Sequence, residues 1–502
     1  MNQETTPTDT HNRKLLGRAC WRVSLRVSAP FIFSACLLCL ALAGCASAPA
    51  RAQRRVPRGA QANGAAEDVL ALLRGALAAL QAGRLAEAEP LLRRAVALAP
   101  ANADAHALLG ALLDQLGRTE EAQHEYQTTL RLNPKHVSAR ANLGVLLAHT
   151  GQSDAAVRTL EDVLNDAPEH PQVLFNLGVQ YIERGQYGRA ELLLERARQQ
   201  QPENVAVLYQ LALALYELKR LDEADAVLAT ATQLAPDDAE VLYARGLLAA
   251  ARGESAAARA LWQRALGRRA NFAAANFMLG EELRKSGQTE AARLYYERAL
   301  AQDPARLVHY VRLGGVYLLL KLPDQALDVF TRAAARFPRA AEAHYFVGVA
   351  ARGRGDYGAA EASLRKSLAL APDNADALAQ LGFIVGERGR FAEAEQLLRR
   401  AAAREPAHFY AHYDLGRLLV KTKRYADALP LLEHAAALRP NSASVHYQLF
   451  MAFARLKQTS AAEREMSVFK RLEAERKERG LGNSADEAED YAPPLASAPP
   501  PR

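Results

Sequence analysis

Residues 103–136 read ADAHALLGALLDQLGRTEEAQHEYQTTLRLNPKH. Leu109, Leu112, Leu113 and Leu116 recur at the three- and four-residue spacing of a helix with one apolar face, and Gly117 follows them. A glycine there supplies the left-handed residue that ends a first helix. Pro134 then stops a second helix that begins just beyond the glycine. Residues 171–204 repeat the arrangement, with Leu177 and Tyr181 ahead of Gly185 and Ala190, Leu193, Leu194 and Ala197 behind it.

Outward from this stretch, Pro100, Pro134, Pro168, Pro202, Pro236, Pro304, Pro338, Pro372, Pro406 and Pro440 are separated by 34 residues or a multiple. Ala270 stands where the series calls for another proline, and the register continues through it. Counting back from each proline, units open at Val69, Ala103, Val137, Pro171, Val205, Ala239, Ala273, Leu307, Ala341, Ala375, Phe409 and Ala443, and the last closes at Arg476. The eighth residue is glycine in nine units, such as Gly110, Gly246 and Gly314, and is Ala76, Ala212 or Phe450 in the rest. The twentieth is alanine in all twelve, from Ala88 to Ala462. Small residues on both helices predict that two helices touch there, at a helix-propensity cost of about 1 kcal/mol for each glycine. The turn residue is glycine in eight units and Lys219, Lys321, Lys423 or Lys457 in four, where a left-handed non-glycine residue costs about 1 kcal/mol.

A small residue at eight, alanine at twenty and proline near thirty-two in a 34-residue unit resemble the tetratricopeptide repeat. The resemblance implies an all-α fold, an α-α superhelix of twelve tandem helix-turn-helix repeats over residues 69–476 of the 502. It further implies a scaffold that binds proteins or peptides in a concave groove lined by the first helix of each unit. Departures from the pattern sit at the ends. The first unit has Gly75 and Ala76 where leucine and glycine are usual, and the twelfth has Phe450 and Ala474 for glycine and proline. The last helix runs on through Phe469 and Leu472 to Glu478, as a terminal cap with a wet face does.

By the same resemblance the fifth position of each unit faces the groove. It is aromatic at Phe175, Tyr209, Tyr243 and Phe277 in successive units, then at Tyr345, Tyr413 and Tyr447. The ninth and twelfth positions add Val145, Val179, Leu213, Leu247, Ile182 and Tyr216. Asn142, Asn176 and Gln210 share the sixth position, where amides could hold a peptide backbone. These residues form the expected partner-binding groove. The aromatics would serve equally to pack helix on helix, and burial of Tyr209 and Tyr243 would decide for packing.

Upstream of the repeats, an Arg-rich stretch runs into the apolar residues Ala29 to Gly44, the layout of a signal peptide. That run of sixteen residues is shorter than the roughly 20 a permanent membrane helix needs. Leu42-Ala43-Gly44-Cys45 resembles a bacterial lipoprotein box, which implies cleavage after residue 44 and lipid on Cys45. Ala46, with no aspartate at that place, implies by the same resemblance the outer membrane, facing the periplasm. Cys20, Cys36, Cys39 and Cys45 are the only cysteines, so a processed chain keeps one and forms no internal disulfide. Residues 45–68 are expected to be a disordered basic tether, and residues 477–502 a disordered acidic and Pro-rich tail.

The net charge of +7 falls to +4, 58 basic against 54 acidic residues, once residues 1–44 are removed, which argues against a nucleic-acid partner. His408, His412 and His446 have a loose metal-ligand spacing, yet His106 and His344 share the fourth position as packing residues. No phosphate loop or nucleophile elbow occurs, so no catalytic residue, metal or cofactor is expected. The expectation is therefore a membrane-anchored scaffold in envelope assembly or secretion. The alternative is an accessory to carbohydrate or glycosyl transfer, or an enzyme with a cryptic site, which a buried acid or histidine cluster would favour.

Overall fold

Each 34-residue unit carries two helix starts and two stops, and the computed structural model places helices between them. It describes residues 59–478, with side chains from Asp68 onward. These residues form two compact units that divide between Arg268 and Arg269. In the N-terminal unit the helix pairs are α1 (Gly59–Gln81) with α2 (Leu85–Leu98), α3 (Ala103–Gln115) with α4 (Thr119–Leu132), and α5 (Val137–His149) with α6 (Ser153–Asp166). They continue as α7 (Pro171–Glu183) with α8 (Tyr187–Gln200), α9 (Val205–Glu217) with α10 (Leu221–Leu234), and α11 (Ala239–Ala251) with α12 (Ser255–Arg268).

The C-terminal unit begins with α13 (Ala273–Lys285) and α14 (Thr289–Gln302), α15 (Leu307–Leu319) and α16 (Pro323–Arg336), and α17 (Ala341–Gly353) and α18 (Tyr357–Leu370). It closes with α19 (Ala375–Glu387) and α20 (Phe391–Arg404), α21 (Phe409–Lys421) and α22 (Tyr425–Leu438), and α23 (Ala443–Arg455) and α24 (Thr459–Glu478). The fold is all-α, a solenoid of helix pairs in each unit.

The turns inside the pairs show why the sequence stops where it does. Lys219, Lys321, Lys423 and Lys457 have φ of 65°, 59°, 64° and 59°, in the same left-handed region as the turn glycines. The closing hydrogen bonds are alike for both residue types. Arg118 N donates to Leu113 O at 2.9 Å beyond Gly117, and Leu322 N to Tyr317 O at 2.8 Å beyond Lys321.

The two helices touch at the eighth position, as expected, and the glycine there is a socket for the large residue sixteen positions later. A Cβ on Gly246 would lie 2.3 Å from Trp262 Nε1, one on Gly314 2.4 Å from Phe330, and one on Gly144 2.7 Å from Leu160. These receiving side chains are fully buried, each worth about 1.5–3 kcal/mol of transfer free energy. The twentieth-position alanines from Ala88 to Ala428 are likewise wholly buried. Between repeats, Ala95 packs with Ala105 and Val69, and Ala197 with Val207 and Leu174, so the twenty-seventh position seats the next first helix.

Two further features were not read from the sequence. Residues 59–68, expected as tether, are the first turns of α1. Their alanines extend a helix already nucleated by the first repeat, since adding a residue to an existing helix costs little. Arginines after the turn also clasp consecutive repeats: Arg118 reaches Glu89 and Glu121 at 2.7 Å, and Arg424 reaches Glu395 at 2.7 Å and Asp427 at 2.9 Å. These pairs are solvent-exposed and guide register more than they stabilise.

Candidate functional site

In each unit consecutive first helices pack directly on one another, α3 through α11 in one and α15 through α23 in the other. Consecutive second helices lack packing of that extent. Elements on the inside of a bend are the closer ones, so the first helices form the inner wall of each unit, and any extended partner would lie on them.

Three of the position-five aromatics do not line that wall. Tyr209 and Tyr243 are 1% exposed and Phe277 is fully buried. Phe277 meets Tyr296 edge-on at 5.5 Å and His309 at the same distance, and the backbone carbonyl of Tyr243 accepts from Trp262 Nε1 at 3.1 Å. Val179, Gln210 and Leu213 are buried too. These six residues are removed from the groove, because the helices packed around them cover their side chains. Asn142, Val145, Phe175, Asn176 and Tyr216 remain half-exposed. The Asn176 amide already donates to Gln172 O at 2.7 Å within its own helix, which argues against a peptide-clamping ladder. Burial, then the neighbouring Glu217 charge, pushes the Tyr216 hydroxyl up to about 12. Burial also raises Glu217, partly offset by Lys219, whose Nζ lies 5.2 Å from the Tyr216 ring centre.

A narrow cleft opens between α19 and α21 in the C-terminal unit. Phe383 and Gly386 line one side and Asp414, Arg417 and Lys421 the other, with Leu398 behind. The Arg352 and Arg417 guanidiniums sit 4.2 Å and 4.8 Å from the centre of the Phe383 ring. Arg352 donates to Gln380 Oε1 at 2.7 Å, and Arg417 pairs with Glu387 at 3.1 Å. The cleft thus offers an aromatic surface with charge of both signs at its mouth. Its sequence signal lay at the ninth position, where Phe383 is the single phenylalanine in twelve units, and at the twelfth, where Gly386 leaves room.

Several buried polar groups elsewhere have structural partners. Glu281 Oε1 accepts from Tyr296 at 2.6 Å and Arg312 Nε at 2.7 Å, while Oε2 faces Arg284 at 3.3 Å. This cluster is the kind that would favour a cryptic enzyme site, but its carboxylate is occupied by cations and a phenol. The fourth-position histidines hold the preceding proline carbonyl: His106, His412 and His446 reach Pro100, Pro406 and Pro440 O at 2.9–3.0 Å. His408 accepts from Ala411 N at 3.1 Å and bonds Asp376 at 3.1 Å. Among the described residues no cluster of three His, Cys, Asp or Glu is placed to hold a metal ion. Cys45, residues 1–44 and the tail beyond Glu478 lie outside the described residues.

Comparison with known proteins agrees on the repeat. A family model described as "Tetratricopeptide repeat" matches residues 79–132, 117–174 and 181–248. A model described as "Cilia and flagella-associated protein 70 C-terminal domain" matches residues 246–488. No curated protein matches. Among solved structures, a tetratricopeptide repeat protein from Parabacteroides merdae is 21% identical, covering 49% of this chain and 98% of that one, with a TM-score of 0.41. The Cut9-Hcn1 hetero-tetramer of the APC/C is 15% identical over 84% of this chain and 96% of that one, at 0.43. Pseudomonas aeruginosa pilF is 22% identical over 41% and 94%, at 0.37. The helix pair recurring every 34 residues, together with the repeat-family match, makes this chain a tetratricopeptide repeat protein.

Proposed function

We propose that the chain is a protein-binding scaffold held to a bacterial membrane by lipid on Cys45, serving envelope assembly or secretion from the periplasmic face of the outer membrane. The observation that carries the binding reading is the continuous wall of first helices in each unit, with the Phe383 cleft set in it. Half-exposed Phe175 and Tyr216 offer apolar anchors on the other unit's wall. The anchoring reading rests on the Leu42-Ala43-Gly44-Cys45 sequence and on the arginines that precede its apolar run.

Crosslinking and pulldown from membranes tests the wall. Phe175→Ala with Tyr216→Ala, and separately Phe383→Ala, should each lose a defined partner that wild type retains. An unchanged partner set in both variants removes the wall as the contact surface. Cys45→Ala should move the protein from the membrane to the soluble fraction; a variant that still floats with lipid excludes this anchor.

A further inference from the structure

The last repeat breaks the packing rule of the other eleven at two positions. Position twenty-seven, the seat for the next first helix, is buried in the first eleven units, alanine in eight and Thr129, Val163 or Ser367 in three, but is Phe469 in the twelfth. Position eight, elsewhere glycine or alanine, is Phe450. Tyr447 stands 5.4 Å from Phe469 and 6.2 Å from Phe450, ring centre to ring centre. It is 40% exposed, whereas the tyrosines at its position in the fifth and sixth repeats are 1% exposed.

This aromatic platform occupies the space a thirteenth helix would need. A helix seated in the regular register would meet the Phe469 ring where other repeats offer a side chain no larger than valine, so neither another repeat nor a second copy's first repeat fits in that register. A thinner segment does fit. Polyproline chains are narrow, carry no internal hydrogen bonds and dock on aromatic surfaces. The chain supplies a proline-containing segment thirteen residues beyond Glu478, Tyr491-Ala492-Pro493-Pro494-Leu495, preceded by Asp486, Glu487, Glu489 and Asp490. The end helix pair complements those acids with exposed Arg455, Lys457, Arg464, Lys470, Arg471 and Lys477, which outnumber its exposed Glu463 and Glu478. Phe469 lies nine residues before the end of α24, about 14 Å back along the helix, and the twelve intervening tail residues span up to about 40 Å.

We infer that residues 486–495 of this chain fold back on the end of the twelfth repeat, with Tyr491 to Leu495 covering Tyr447, Phe450 and Phe469. This inference is independent of the proposed binding wall and membrane anchor.

Hydrogen exchange of α23 and α24 in the full chain tests it, against a chain ending at Gly480 and a full-length Tyr491→Ala/Pro493→Ala/Pro494→Ala variant. A segment with an intrinsic Kd of about 0.1 mM, held at an effective concentration of about 1 mM, protects about tenfold. Both variants should exchange faster by that factor. A synthetic peptide of residues 484–497 should restore protection to the shortened chain, but not to one also carrying Tyr447→Ser. Unchanged exchange in both variants, or a peptide that binds the Tyr447→Ser chain equally well, overturns the inference. Protection that vanishes on dilution together with a dimer in light scattering also overturns it, by assigning the tail to a second copy.

Discussion

Replacing Gly246 with alanine probes the socket principle at its tightest point. The new Cβ would sit 2.3, 2.6 and 2.8 Å from Nε1, Cδ1 and Cε2 of Trp262, so the indole must move by about 1 Å to reach an ordinary contact distance. It has little freedom to do so, because Trp262 is fully buried and its Nε1 donates to Tyr243 O at 3.1 Å. Overpacking costs about 1–3 kcal/mol, and loss of the indole hydrogen bond about 1 kcal/mol. Helix propensity returns about 1 kcal/mol for glycine to alanine. The balance is a destabilisation of about 2 kcal/mol centred on the sixth repeat. The fifth repeat supplies the control, since it combines Ala212 with Leu228 at the same two positions. In a Trp262→Leu background, Gly246→Ala should therefore cost close to nothing. Repeat arrays unfold piecewise, so the measurement is the opening free energy of α11 and α12 amides by native-state hydrogen exchange rather than a global midpoint. The same loss in both backgrounds would refute the socket explanation.

Three other perturbations address separate terms. Burial pushes His309 down to about 4, its Nδ1 donates to Asp303 O at 2.8 Å, and Nε2 has no partner beside Phe277. Full stability is present above about pH 6.5; between 6.5 and 4 only the unfolded chain takes up the proton, so about 3 kcal/mol is lost from α15. A His309→Leu variant lacking that slope in pH-dependent exchange confirms the source, and an unchanged slope excludes it. Lys321→Gly relieves a left-handed lysine at φ 59° and should stabilise the α15–α16 turn by up to about 1 kcal/mol in denaturant unfolding. Arg312→Met leaves Glu281 short of its buried partner and should cost about 3–5 kcal/mol, with Glu281→Leu on top recovering most of it. Equal destabilisation of the single and double variants would show that the pair is not coupled.

The sequence carried the repeat because the repeat is written in backbone requirements. Left-handed residues at Gly117 and Lys219, a stop at each registered proline, and small residues at Gly246 and Ala122 are demanded locally, and they recur at fixed spacing. It also showed that Phe175, Tyr209, Tyr243 and Phe277 share one helix face. Which neighbour covers that face is a different question, because a helix in a solenoid is packed from three sides and periodicity does not say which side stays open. The tertiary structure closed the face over Tyr209, Tyr243 and Phe277 and left Phe175 half-exposed. Likewise, the sequence placed a large aromatic at Trp262 and a glycine at Gly246 without relating them, and only the packing of α11 on α12 made one the socket of the other. By itself the sequence determined the helix pairs, their number and their period. The three-dimensional stacking decided which side chains a partner could reach, because exposure depends on contacts between residues a whole repeat apart.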